Sequence, residues 1–312
     1  MTKAEISVVI PVFNAMPYLC QCLDSVLAHG TPEIEVICVN DCSTDESCQI
    51  LLEYQARDAR VSVIHNVKRL GAGRCRNLGL ERAQGEYLLF MDADDWLFPN
   101  SLAKVLEKAR RHRVDVLRCR AADYDNHNGE STLSPHNALK KVPLFLFDRA
   151  INPRRSYVIL PKICVAPWGG LVRREFLIEN GIRFNSLVCV NDRSFFWETM
   201  LKSDRIILAK DFLIHYRTNL DTSLVGSRIR NFSCHFESYR LVNALCESLP
   251  KRDRRRILDA ELLDMAHWAN QSAGTEYTGE IQEMLKQFLN TMDRSPWNGR
   301  IEGARWYWRM FH

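Results

Sequence analysis

Over the first hundred residues, short β-branched apolar runs alternate with stripes of apolar residues at helical spacing. Residues 6–10 form the first run, ended by Pro11, and Leu19, Cys22, Leu23, Val26 and Leu27 then mark one helix face. The pattern repeats with a strand at 34–39, a capping box at Ser43-Thr44-Asp45-Glu46, and a helix face at Ile50, Leu51 and Tyr54. A third strand over 61–65, a short helix over 74–83 and a fourth strand over 87–91 follow. Beyond Asn100, Leu102, Val105, Leu106 and Ala109 predict a helix and 114–119 a strand, before a polar, turn-rich stretch at 123–136 reads as a surface excursion. Residues 161–220 return to short strands and helices. After Arg228 three amphipathic helices are predicted, near 231–249, 254–272 and 276–292.

Strands alternating with helices in this way predict an α/β fold with right-handed crossovers and a mostly parallel sheet, its ligands gathered at the carboxyl ends of the strands. The polar clusters fall at those ends. Phe13-Asn14 follows the first strand, Asn40-Asp41 the second, residues 66–69 the third, and Asp92-Ala93-Asp94-Asp95 the fourth.

With 312 residues, 46% of them apolar, the chain can bury a large core, which argues against disorder. Lys and Arg number 42 against 38 Asp and Glu, a net +4 too mild to make nucleic acid the partner. No apolar run reaches the roughly 18–20 residues that cross a bilayer, and the N-terminus leads into a strand rather than a signal peptide, so the chain is expected in the cytoplasm. Eleven cysteines at irregular spacing read as small core residues, with a metal role for Cys20 and Cys22 the weaker alternative.

Acids at i and i+2 leave a strand end on one side, so Asp92 and Asp94 can hold Mg²⁺ or Mn²⁺, the shell being completed by phosphate and water. The alternative is a helix N-terminus favoured by acids. Asp41 can accept a hydrogen bond from a base N–H, and Lys68, Arg69, Arg74 and Arg76 offer donors to phosphate, although Arg74 and Arg76 suit a solvated helix face equally well.

Four segments in order carry a resemblance: residues 9–14 (Val-Ile-Pro-Val-Phe-Asn), 39–45 (Val-Asn-Asp-Cys-Ser-Thr-Asp), 71–79 (Gly-Ala-Gly-Arg-Cys-Arg-Asn-Leu-Gly) and 90–95 (Phe-Met-Asp-Ala-Asp-Asp). Together they resemble the inverting family 2 glycosyltransferases of the GT-A fold, especially bacterial enzymes that build capsule, exopolysaccharide or lipopolysaccharide glycans. The resemblance is close over residues 5–110 and looser to about 225. It implies a catalytic domain over 1–225, with a nucleotide-sugar-binding half (1–110) and an acceptor-binding half (111–225), followed by a helical region over 226–312.

The resemblance further implies a UDP-sugar donor, a glycan or lipid-linked glycan acceptor, and Mn²⁺ or Mg²⁺. Pro11 and Phe13 would line the base pocket, Asp41 would contact uracil, and Arg76 would lie near the base or diphosphate. Asn14 and Ala93 fall within the same nucleotide-sugar motifs, and Asp92 and Asp94 form the DxD metal and ribose site. Asn191-Asp192 resembles the Glu-Asp pair that opens a helix in the second half, which makes Asp192 the catalytic base, a role compatible with capping that helix. His215 and Arg217 resemble an element near the diphosphate, His215 being equally suited to a core strand. Trp168 resembles an acceptor-side aromatic, with a core tryptophan as the alternative.

Three departures bear on these implications. Asn40-Asp41-Cys42-Ser43 stands where Asp-Asp-Gly-Ser is frequent, Asn191 where Glu is usual, and Cys75 where Ala is usual. The terminal stretch with Trp297, Arg300, Arg305, Trp306, Tyr307, Trp308, Arg309 and Phe311 suits either contact with the inner face of the cell membrane or docking on the protein. Two other readings compete: a nucleotide-sugar-binding protein that keeps the fold without turnover, and a dinucleotide-dependent oxidoreductase. The second is weakened because no glycine fingerprint follows the first strand and Arg76 falls where a third glycine belongs.

Overall fold

All seven residues of β1 (Ile6–Val12) are buried, as a strand covered on both faces requires. There follow α1 (Met16–Leu27), β2 (Ile34–Asn40), α2 (Ser47–Arg57), β3 (Val61–His65), α3 (Ala72–Arg82) and β4 (Tyr87–Phe90) in the computed structural model, which describes residues 4–30, 33–133, 139, 142–155, 157–219 and 225–292. β1 pairs in parallel with β2 and β4, and β3 pairs in parallel with β2. This is the parallel half predicted from the pattern, with its strand ends at one edge. Pro11 lies inside β1 rather than after it. It pairs with Val39 beyond the point where β4 has ended, opposite Val9, so its missing N–H falls outside that ladder.

The chain continues through β5 (Trp96–Leu97), α4 (Ser101–His112), β6 (Val116–Asp125), β7 (Ser131–Leu133), β8 (Ala150–Ile151), β9 (Gly170–Arg173), α5 (Arg174–Glu179), α6 (Asp192–Lys202) and β10 (Ile206–Thr218). One sheet runs in the order β3-β2-β1-β4-β9-β6-β10-β5, with β7 beside β6 and β8 beside β10. β9 enters antiparallel between β4 and β6, and so joins the two halves of the chain through one sheet. The expected excursion at 123–136 is corrected in part. Residues 123–125 extend β6, pair with β10, and fold back through a turn onto β7, because Tyr124 and its neighbours satisfy two adjacent strands.

Helices α7 (Val225–Arg230), α8 (Ser233–Leu245), α9 (Lys251–Gln271) and α10 (Thr278–Thr291) close the described chain, near the three helical stretches predicted. They form no separate core. Phe236, Val242, Leu258 and Leu285 share one cluster with Phe195 and Trp197 of α6 and Leu88 and Phe90 of β4. The other sheet face packs on α1, α2 and α4 through Leu19, Leu23, Leu51, Leu102 and Val105.

The predicted capping box takes a different form. Asp45 accepts from Ser47 N at 3.0 Å and from Met16 N at 3.0 Å, so one carboxylate caps both α2 and α1. Cys20 is exposed and Cys22 buried, so the two do not face a common ion. Among the described residues no helix is long and apolar enough to cross a membrane. The basic and aromatic stretch from Trp297 onward lies outside them.

Candidate active site

The loops that leave β1 to β4 meet at one edge of the sheet and are tied to each other. Asn14, at φ 50°, accepts from Thr44 N at 2.8 Å and donates to Thr44 Oγ1 at 3.1 Å, which joins the first two loops. Cys42 adopts φ 60°, the left-handed conformation that favours glycine, and its thiol donates to Asn66 O at 3.0 Å. The loop therefore keeps its shape without the glycine.

Asp41 is 3% exposed and holds the third loop. Its Oδ1 accepts from Asn66 Nδ2 (2.8 Å) and Leu70 N (2.7 Å), and its Oδ2 accepts from Gly71 N at 2.8 Å. Burial pushes its carboxyl up, but these bonds more than reverse that, leaving it below the usual carboxylate range. Gly71 needs its freedom here, since φ 86° starts α3. Pro11 is buried beside this loop end. Phe13 is part exposed, and the Arg69 guanidinium lies 3.7 Å over its ring. Arg74 is solvated and Arg76 buried, so the helix-face reading suits only the first.

Arg76 joins the two halves of the site. Its Nη2 donates to Asp92 Oδ1 at 2.6 Å and its Nη1 to Asn191 Oδ1 at 3.0 Å, across 115 residues of sequence. Two nitrogens of one planar guanidinium thus reach both the acidic turn and the residue that opens α6. The departure from Glu to Asn keeps this hydrogen bond and leaves the whole cationic charge to Asp92.

In the acidic turn Ala93 is buried and Asp92 and Asp94 are half-buried. Asp94 is pushed up to about 6, first by burial and then by Asp92 beside it. Asp95 lies deeper, at 1% exposure. Its Oδ1 accepts from Arg217 N at 2.9 Å, its Oδ2 has no partner among the described residues, and burial followed by the charges of Asp94 and Asp92 raises it well above the usual range. Negative charge in excess of its counter-charges, with two carboxylates at the opening, fits a divalent cation. No group of three or more His, Cys, Asp and Glu side chains among the described residues is arranged to hold one alone. Asp92 and Asp94 would supply two ligand groups and a donor's phosphates the rest, the usual arrangement for Mg²⁺.

Asp192 is the first residue of α6, half-buried, and its carboxylate makes no hydrogen bond among the described residues. Two buried cations flank it. Arg118 of β6 loses some of its basicity to burial while the Asp192 charge opposes that loss, and Arg193 follows it in the chain. Arg118 donates to the carbonyls of Cys164 and Ala166. A Cβ at Gly169 would lie 2.2 Å from its Nη2, which is why a glycine stands there.

Three expected residues are placed elsewhere. Trp168 is 4% exposed and stacks on Tyr216 at 5.0 Å, so it is a core ring and presents no platform to an acceptor. His215 lies between Trp96 (4.7 Å) and Phe98 (3.7 Å), and burial lowers its basicity, as suits a ring stacked in a strand. Arg217 is 7% exposed with every guanidinium nitrogen bonded: Nε to Asp94 O, Nη1 to Asn126 Oδ1 and Nη2 to Gln21 Oε1. Tyr18, Trp96 and Tyr124 surround its guanidinium, and its charge bears on Asp94 and Asp95. It anchors the acidic turn instead.

One cation escaped sequence reading. Arg228 of α7 rests over Trp268 at 4.6 Å and bears on the Tyr216 hydroxyl, which burial and then Asp95, Asp92 and Asp94 push up. It therefore faces the acidic turn across Tyr216.

The family model described as Glycosyl transferase family 2 matches residues 7–180. Glycosyltransferase GlyG of Streptococcus pneumoniae is 34% identical over 68% of this chain and 70% of its own. The uncharacterized glycosyltransferase EpsJ of Bacillus subtilis is 27% identical over 69% of this chain. Poly(ribitol-phosphate) beta-N-acetylglucosaminyltransferase TarS of Staphylococcus aureus is 26% identical over 92%. The chain spans 61% of EpsJ and 48% of TarS. The crystal structure of S. aureus TarS 1-349 in complex with UDP-GlcNAc superposes with a TM-score of 0.74 at 23% identity, covering 96% of this chain and 85% of that one, and shares its fold.

Proposed function

The chain belongs to glycosyl transferase family 2, and from that premise we propose that it transfers a hexose or hexosamine from a UDP-sugar to a hydroxyl of a surface-glycan acceptor, with inversion. The observation that carries this reading is the Arg76 bridge, which makes the acidic turn and the start of α6 neighbours. The dinucleotide oxidoreductase has no place in this family. The catalytic domain is taken as residues 1–225, followed by the region 226–312, whose described helices share its core.

Asp94 and Asp92 would hold Mn²⁺ or Mg²⁺, and Arg76 fixes the orientation of Asp92. The cation supplies positive charge against the diphosphate of the leaving UDP. Arg228 adds a second positive charge on the same side. At the base end Pro11 and Phe13 flank the ring. A uracil N–H would join Gly71 N at Asp41 Oδ2, Oδ1 being taken by Asn66 Nδ2 and Leu70 N.

Asp192 takes the proton of the acceptor hydroxyl. That oxygen then bonds to the anomeric carbon as the carbon–oxygen bond to UDP breaks on the opposite face. The hydroxyl proton ends on the Asp192 carboxylate and the electron pair of the broken bond on the diphosphate. Support for inversion comes from TarS, named for forming a β-linkage, and support for UDP from its complex with UDP-GlcNAc.

The test is UDP release from UDP-N-acetylglucosamine, UDP-glucose and GDP-mannose, with Mn²⁺ and then with EDTA. Release from a UDP-sugar that EDTA abolishes, and that Asp192→Asn lowers by about 10² or more, is the expected outcome. An unchanged rate in Asp192→Asn removes the base assignment. Binding of a UDP-sugar without turnover would favour a non-catalytic binding protein.

A further inference from the structure

We propose that Glu261, on α9, is a positioning residue for Asp192, acting through the neighbouring Arg193; this rests on the reading of Asp192 as the base. Arg193 Nε donates to Glu261 Oε2 at 2.7 Å and Nη2 to Oε1 at 2.6 Å, a two-pronged pair spanning 68 residues of sequence. Trp197 Nε1, one turn along α6, donates to the same Oε1 at 2.6 Å. Glu261 therefore grips α6 at two points on one face. Arg193 and Glu261 are 7% and 4% exposed, so water does not compete for these bonds.

On the other side of Asp192, Asn191 is held by Arg76 at 3.0 Å. The residue before the base is thus pinned to the donor site and the residue after it to α9, while the Asp192 carboxylate is left unbonded among the described residues. A base must be oriented by groups other than its substrate, and here its own backbone supplies that orientation.

Charge adds a second effect. The Arg193 guanidinium is met by Glu261 and by Asp264, at 2.8 Å from Nη1, so its hydrogen bonds are directed to α9 while its charge still bears on Asp192 beside it. With Glu261 neutral, one face of that guanidinium is released and can turn to the carboxylate beside it, drawing Asp192 from the acceptor. Buried ion pairs are often weaker stabilisers than apolar residues of the same size, so the arrangement accounts for orientation better than for stability. The C-terminal helices are by this account part of the geometry of transfer.

Glu261→Gln tests the proposal, since it keeps the shape, leaves Asp264 to meet the Arg193 charge, and sets an NH₂ group against donors. Turnover is read as UDP release from UDP-N-acetylglucosamine or UDP-glucose, whichever the native enzyme uses faster, with water as acceptor and saturating Mn²⁺. UDP affinity is read by calorimetry in Mn²⁺. The expected result is a kcat lower by about tenfold with UDP affinity within about twofold, because misplacement reaches the base and not the donor site. A kcat within twofold of the native value, or a UDP affinity that falls in step with kcat, overturns it.

Should that variant fail to fold, Trp197→Phe removes only the Nε1–H donor. It is expected to lower kcat about threefold at unchanged UDP affinity, and an unchanged kcat overturns the proposal. Asp192→Asn separates the two readings. Full turnover in Asp192→Asn refutes the base itself, whereas an inactive Asp192→Asn beside a fully active Glu261→Gln refutes only the positioning role.

Discussion

Replacing Arg76 with Met removes the guanidinium that bridges the acidic turn and α6 while keeping a stem of similar bulk. Two bonds are lost, to Asp92 Oδ1 at 2.6 Å and to Asn191 Oδ1 at 3.0 Å. Hydrogen bonds to charged groups contribute roughly 1.5–3 kcal/mol each. The Asp92 side chain is 31% exposed, so solvent screens part of its loss, about 2 kcal/mol remaining there and about 1 kcal/mol at Asn191. A total near 3 kcal/mol should appear as a lower urea midpoint at unchanged slope, followed by tryptophan fluorescence. Arg76→Lys can reach one partner only, and should lose about 1 kcal/mol. Turnover should fall more steeply, by about 10² in Arg76→Met and about tenfold in Arg76→Lys, because both Asp92, the proposed cation ligand, and the start of α6 shift. A midpoint and a UDP-release rate unchanged in Arg76→Met would mean the bridge holds nothing, and the single-site geometry would fail with it.

Two further substitutions probe the surroundings. Burial holds the His235 imidazole down at about 4, with Asp264 opposing and Arg193 and Arg228 assisting, whereas an unfolded histidine titrates near 6.5. As pH falls the unfolded chain takes this proton first, so stability carried by neutral His235 is whole above about 6.5 and is lost as pH falls from there to about 4. His235→Phe should remove that loss, on the order of 3 kcal/mol across the window, in paired urea titrations, and identical pH dependence in both proteins would refute it. Trp168→Ala should lower stability by about 3–5 kcal/mol, as expected of a core ring, and an intact melting temperature with weakened acceptor use alone would restore the acceptor-side reading.

Much of the first hundred residues was legible because their contacts are local or pair neighbouring strands. Period and turn chemistry located β1 to β4 and α1 to α3, and the three last helices, within a few residues of their observed bounds. What stayed hidden was non-local. β9 enters the sheet beside β4 and β6 by pairings that no local period encodes, and so the sequence left Trp168 open between an acceptor-side and a core ring, when the turn it sits in leads into β9 and packs Gly169 against Arg118. Arg217 carried a family role in its sequence context, yet its nitrogens are spent on Asp94, Asn126 and Gln21, which lie on three separate segments. The Arg193, Trp197 and Glu261 network has members on two helices far apart in the chain. In the site, residue type and position after a strand identified Asp41, Asp92 and Asp94 as neighbours of one edge, whereas whether a given oxygen is free or already bonded is a matter of packing.

The central claim is that Asp92, Asp94 and Asp192 serve one donor site, and a crystal structure with UDP and Mn²⁺ tests it most directly through the anomalous signal of the metal. The account predicts one Mn²⁺ bound by Asp94 and Asp92, with the diphosphate beside it and Asp192 facing the place where the sugar's anomeric carbon would lie. Mn²⁺ and UDP found away from the acidic turn, or an Asp192 carboxylate walled off from them, would contradict it.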